Sequence, residues 1–299
     1  MTRHRFFCIV CTAVLLAAAS AGAQQPSPPT NGNYLGSWLM PSEPQALCPP
    51  EIPALYQAYE IVTGTDMRQR PWGFAQTLRE VLVKVSGDPR LKTDPRTPEL
   101  TAHAADFVAC FHYADQMADV PLHDEQGTYD RPYKLTVTFD PGKIDALLAK
   151  LGDHPWRDER PVVVPVLVVH GRKPPAYLLS AEAPEGAEQR AAFATAAGQF
   201  GLKFRFPADA EMAGWSVSLD HFPPSPPQPA TGEAIVLGTL DWNESLPGWI
   251  SQWRMRWDNV DHEWGVSGVN YDAAFRDILG GVELIASGNG SPDPDHGEH

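Results

Sequence analysis

Eight consecutive positions, Val162-Val163-Val164-Pro165-Val166-Leu167-Val168-Val169, carry no polar side chain. A strand of this kind has no face for water and must be covered on both sides by other layers. Pro165 lacks the amide N–H that a central strand donates, so a bulge or a neighbouring sheet edge is expected beside it. The following residues supply the covering elements. Ala187 to Phe200 reads as a helix closed by Gly201, Leu202 to Phe206 as a short strand, and Asp209 to Trp215 as a helical turn. Residues 221–230 contain Pro223, Pro224, Pro226, Pro227 and Pro229 and read as a surface loop. Three alternating strands follow, at about 233–242, around 252–257 and at 260–269. A last helix, Tyr271 to Ala286, carries Ala274, Ile278, Val282 and Ile285 on one stripe.

The preceding hundred residues have a different texture. Leu55 to Val62 reads as a strand, and Phe74 to Val85 as a helix with Phe74, Leu78, Val81, Leu82 and Val85 on one face. A second helix is expected from Thr97 to Ala109, with Thr97 as N-cap and Pro98 at the first helical position. Phe111 to Gln116 and Tyr133 to Phe139 read as strands, and a helix beginning at Asp140 or Pro141 ends at Gly152. The fold class is α+β, with two modules of mixed helix and strand. The order β-α-α-β-β-α is followed by β-α-β-α-β-β-β-α, with a mostly antiparallel sheet at the C-terminal end. The expected organisation is a signal peptide over 1–23, a Pro-rich flexible lead-in over 24–53, modules over 54–158 and 159–286, and a disordered tail over 287–299.

The signal peptide rests on Arg3, His4 and Arg5 ahead of the apolar run Phe6 to Ala19, then Ala21-Gly22-Ala23 as a small-residue cleavage site before Gln24. The apolar run is too short to span a bilayer, which takes about 20 helical residues. Export to the periplasm is therefore expected, with no transmembrane segment left after cleavage between Ala23 and Gln24. Of the four cysteines, Cys48 and Cys110 remain in the exported chain. In an oxidising compartment they are expected to form one disulfide. Acidic residues number 37 against 23 basic ones, which argues against nucleic acid as a partner.

Catalytic spacings are missing: there is no P-loop, GxGxxG, HExxH, GxSxG or SxxK. No catalytic residue, cofactor or metal site is assigned. Asp241 with Glu244, or Asp258, Asp261 and Glu263, could serve as paired carboxylates, but such clusters are usually solvated faces. His123-Asp124-Glu125 reads as loop composition, and the acidic, His-bearing tail from Asp293 lacks a scaffold to hold a metal. Trp242, Trp249, Trp253, Trp257 and Trp264 cluster in the C-terminal strands, with Trp253, Met255 and Trp257 on one face and Arg254 and Arg256 on the other. Trp249, Trp253, Trp257 and Arg254 are candidate binding residues for a glycan or a protein partner. The competing reading is a Trp-Met-Trp face buried beneath the last helix, with Trp249, beside Pro247 and Gly248, the most exposed of the five.

Several segments together carry a resemblance: Val62-Thr63-Gly64, Val81-Leu82-Val83-Lys84-Val85-Ser86-Gly87-Asp88-Pro89, Leu135 to Asp140, Trp156 followed by Arg160-Pro161-Val162-Val163-Val164, and Ala234-Ile235-Val236-Leu237-Gly238. They resemble the proteobacterial DUF2066 family over roughly residues 55–286. That resemblance implies an exported bacterial protein of unknown function and supplies no catalytic residues. The expected role is a non-enzymatic accessory or interaction module that binds another cell-envelope protein. Alternatives are a glycan- or peptidoglycan-binding module using exposed tryptophan, and a hydrolase with a site assembled from distant residues.

Overall fold

The computed structural model describes residues 48–119, 131–173, 175–245 and 247–292. The signal peptide with its Ala23–Gln24 cleavage site, His123-Asp124-Glu125 and the tail from Asp293 lie outside the described residues, as does the lead-in before Cys48. In chain order the elements are β1 (Gln57–Thr63), α1 (Arg70–Ser86), α2 (Thr97–Ala102), β2 (Val108–Asp115), β3 (Pro132–Phe139), α3 (Pro141–Leu151), β4 (Val162–His170), β5 (Tyr177–Leu178), α4 (Ala187–Phe200), β6 (Lys203–Phe204), α5 (Asp209–Gly214), β7 (Glu233–Asn243), β8 (Gly248–Trp257), β9 (Val260–Val269) and α6 (Tyr271–Ala286). The fold is mixed α+β, with two sheets of mostly antiparallel strands, and no described helix is long and apolar enough to cross a membrane.

The first sheet has the order β1-β3-β2, all antiparallel. One face is covered by α1 and α3, where Leu78, Val81, Leu82, Ile144 and Leu148 meet Leu135 and Val137 in a dry core. Sequence chemistry sets the helix ends. Pro71 opens α1 earlier than its apolar stripe suggests, and Gly87, in the left-handed conformation at φ 74°, closes it. The Ser86 hydroxyl donates to the Leu82 carbonyl and accepts the Asp88 amide, while Asp88 caps the short 3₁₀ turn Pro89–Lys92. The α2 helix stops at Ala102 rather than Ala109, because pairing of Val108 with Phe139 draws the chain into β2. Thr97 does not cap it; its hydroxyl donates to the Leu91 carbonyl.

Cys48 and Cys110 form a disulfide, with Cα atoms 5.4 Å apart. The bridge spans 62 residues of sequence and contributes about 4 kcal/mol in the chain-entropy account.

The second sheet runs β5-β4-β7-β8-β9, with β6 also against β4. The β4–β7 and β4–β6 pairs are parallel and the others antiparallel. The apolar strand is buried on both faces, as its sequence requires. Val163, Leu167 and Val169 face α4 and α6, while Val164 and Val166 face α5 and Val217. Pro165 causes no bulge, since pairing with β7 continues unbroken through Val236. The Val163 and Leu167 carbonyls accept amides from Arg205 and Leu179 on the opposite side of β4. Pro165 shares their orientation and falls between β6 and β5, where no strand asks for its missing N–H.

Arg160, in the segment between the sheets, joins the two parts. Its guanidinium donates to Glu283 Oε1 on α6 at 3.1 Å and to the Lys84 carbonyl at the end of α1 at 2.6 Å. It also approaches the Phe200 carbonyl at the end of α4 (3.5 Å) and lies over the Trp156 ring. A cation at two helix C-termini is favoured by their dipoles as well as by hydrogen bonds. Glu283 is fully buried, and burial pushes its carboxyl well above the usual range. The chain beyond α6 is held as far as residue 292, where sequence suggested a disordered tail. Ser287 donates to the Gly87 carbonyl, Asn289 to that of Ser86, and Ser291 meets His262.

Replacing Arg160 with methionine strands Glu283 and should lower stability by about 3–5 kcal/mol. In urea unfolding, the added change Glu283→Leu should restore most of that loss; no recovery would show that the pair is not the origin.

Candidate interaction surface

The β1 strand lies at the edge of its sheet, and its outward hydrogen-bonding groups can be counted. Ala58, Glu60 and Val62 face β3, in step with the Gly64 amide that donates to the Arg131 carbonyl. Gln57, Tyr59, Ile61 and Thr63 therefore direct their backbone groups away from the sheet. The Gln57 amide is taken by the Ala54 carbonyl, and its carbonyl accepts Lys84 Nζ at 2.8 Å. The Ile61 amide donates to the Glu60 carboxylate. No partner for the Tyr59 amide and carbonyl, the Ile61 carbonyl or the Thr63 amide is present among the described residues.

The same residues carry apolar side chains into water. Tyr59 is 36% exposed and Ile61 45%, and Met67 and Trp72 follow in the β1–α1 connection and the first turn of α1 at 58% and 48%. The Tyr59 ring carries Lys134 Nζ above it at 4.0 Å. The edge of β9, also open, is built differently. Register places the outward groups there on Asp261, Glu263, Gly265 and Ser267, so carboxylates guard it.

Beside the β1 edge lies a groove of about 540 Å³, lined by Leu55, Gln57, Tyr59, Glu80, Lys84, His112, Lys134, Thr136 and, from the last turn and cap of α4, Gly198, Gln199 and Gly201. Glu80 and Lys84 stand one turn apart on α1. Burial pushes the Glu80 carboxyl up to about 7, with Lys84, Lys92 and Arg276 opposing and Glu60 reinforcing the shift. Burial also lowers the Lys84 ammonium.

The tryptophans lie elsewhere. Trp253 is fully buried and cannot bind a ligand. Its indole occupies the space a side chain at Gly238 would take, and its Nε1 donates to Asp277 at 2.8 Å. Trp264, also buried, lies against Gly281 and donates to the Asp277 carbonyl. Trp249 and Trp257 are half-buried against the core under α6. Trp249 packs edge-on to Trp242, whose own face is covered by Arg172 at 3.9 Å. Arg254 sits on the opposite face and donates to the Pro224 carbonyl. The structure therefore does not gather Trp249, Trp253, Trp257 and Arg254 into one exposed patch. Of the candidate carboxylates, Asp241 pairs with His170 at 2.6 Å and Asp261 with Arg256 at 2.7 Å. Among the described residues no group of three or more His, Cys, Asp or Glu could hold a metal ion.

Tyr59, Ile61, Trp72 and Glu80 were not candidates from sequence. Tyr59 and Ile61 alternate with Ala58, Glu60 and Val62, which is the only signal they give; that their side of the strand is open depends on the order β1-β3-β2.

Residues 50–157 match a family described as Domain of unknown function (DUF8605). This corrects the resemblance to DUF2066, which no match supports. The Val85-Ser86-Gly87-Asp88-Pro89 segment is a helix stop followed by a new cap, chemistry that unrelated chains share. The matched stretch runs from before β1 to just past α3 and includes β1, Glu80 and Lys84. No curated protein and no solved structure matches the chain.

The pH dependence of stability should report Glu80. Its pKa is raised from the ordinary 4.5 to about 7, so between these values the folded chain holds a proton that the unfolded chain releases. The stability this contributes is full below 4.5 and is lost as pH rises through 7. Glu80→Gln should therefore gain about 1–3 kcal/mol near pH 8 and nothing near pH 4, read by urea unfolding. An equal effect at both pH values would contradict the assignment.

Proposed function

We propose that this protein is a non-enzymatic interaction module that binds an extended segment of another polypeptide along the β1 edge. The observation that carries this reading is the coincidence, on one strand, of unpartnered backbone groups with the exposed Tyr59 and Ile61 side chains beside a groove. An added strand gains affinity from main-chain hydrogen bonds and specificity from side chains at alternate positions. Edges are ordinarily guarded by charge, as β9 is; on β1 Lys84 and Glu60 take only the Gln57 carbonyl and the Ile61 amide, and the open groups between and beyond them lie beside exposed apolar side chains, the mark of a surface meant to be covered.

The partner is a cell-envelope protein if the chain is exported. Support for export comes from the N-terminal pattern of Arg3 to Ala23, and the disulfide fits an oxidising compartment.

The test is photo-crosslinking in living cells from a benzophenone amino acid at position 59 or 61, with position 260 on β9 as comparison. One dominant polypeptide adduct from 59 and 61, absent from 260, is expected. Ile61→Lys should weaken that complex by at least about tenfold, the size of a central apolar contact. Adducts from position 260 alone, or equal adducts from all three sites, would refute the reading.

A further inference from the structure

We propose that the groove selects a partner strand carrying a lysine or arginine, whose cationic head is received by Glu80 together with the C-terminal end of α4. The inference rests on the strand-addition reading above and adds the chemistry of the partner.

Side chains of a strand added to β1 alternate between two environments, because successive residues of a strand point to opposite faces of its sheet. On one face they meet Tyr59 and Ile61, with Thr136 and Lys134 behind them. On the other they descend toward α1, where Glu80 lines the groove. Among the described residues the Glu80 carboxylate makes no hydrogen bond and no ion pair. Lys84 is the natural partner at i+4, but its ammonium is committed to the Gln57 carbonyl. Glu60, the other acid that acts on Glu80, bonds the Ile61 amide. Lys92 from the 3₁₀ turn and Arg276 from α6 act on Glu80 only at longer range.

The opposite wall has the same sign. Gly198, Gln199 and Gly201 belong to the last turn and cap of α4, where peptide dipoles leave partial negative charge. The cations nearby already have acceptors: Lys134 stands over the Tyr59 ring, Lys84 on the Gln57 carbonyl, and Arg160 at the far side of the α4 end bonds Glu283 and the Lys84 carbonyl more closely than the Phe200 carbonyl. A long side chain with a terminal positive charge fits this arrangement, its apolar stem against Leu55 and its head between Glu80 and the helix end. The elevated Glu80 pKa supports the assignment, since an approaching cation restores the charge that burial suppresses.

The probe is a fluorescein-labelled peptide of alternating valine and threonine, with one central threonine replaced by lysine, norleucine or glutamate. Binding is followed by anisotropy to the full chain near pH 8. The wild type should bind the lysine peptide about fivefold tighter than the norleucine peptide, the size of a partly exposed ion pair, and the glutamate peptide most weakly. Glu80→Gln should abolish the lysine preference while keeping norleucine binding. Tyr59→Pro, which removes an outward amide without touching the β3 ladder, should abolish binding of all three. Equal binding of the three peptides by the wild type, lost in Tyr59→Pro, would overturn the charge inference and leave the edge reading standing. Failure of every peptide to bind the wild type would overturn both.

Discussion

The guanidinium of Arg160 is where the architecture closes. Its hydrogen bonds reach the carbonyl ends of α1 and α4 and the buried carboxylate of α6, and its flat face rests on Trp156. The three-stranded and six-stranded sheets each own an apolar core, and Phe200 at the end of α4 packs against both. Together with Phe200, this polar clamp holds α4 beside α1, while Ser287 and Asn289 fasten the end of α6 to the Ser86–Gly87 turn. Breaking a buried pair by removing one partner is far more damaging than its net worth suggests, because the other charge is left without solvent. The groove depends on the same clamp. Its walls are β1 and α1 on one side and the end of α4 on the other, and Lys84 contributes its carbonyl to Arg160 and its ammonium to β1.

Much of the fold was legible in local chemistry. The α6 stripe, the stops at Gly152 and Gly201, the alternation of β8 and β9 and the double-sided burial of β4 each follow from spacing or from a residue that permits one conformation. The Asp258-Asn259 turn joining β8 to β9 has both residues at positive φ, the geometry a two-residue hairpin prefers. Pro165 is instructive in the other direction. A missing N–H can be recognised from the residue alone, but that it falls between two short strands is a fact of the sheet.

The candidate surface was less legible for the same reason. Alternation showed which residues of β1 share a face, and it could not show that β3 rather than another strand pairs with it, or that its second side stays open. The tryptophan cluster misled in the opposite sense. Its density suggested a binding face, yet the glycines at 238 and 281 and the acceptor Asp277 make Trp253 and Trp264 core residues. Recognising this needs the partner of each indole, which lies 15 or more positions away except for the Trp264–Asp277 bond. The exposed aromatic groups, Tyr59 and Trp72, lie outside that cluster.

Amide hydrogen exchange, resolved residue by residue with and without a crosslinked or peptide partner, tests the central claim most directly. In the isolated protein the Ala58, Glu60 and Val62 amides, paired to β3, should exchange slowly, and those of Tyr59 and Thr63 quickly. Binding should slow Tyr59 and Thr63 and leave the other three unchanged. Protection that appeared on β9 or over the Trp249 region, with the β1 amides unaltered, would contradict the account.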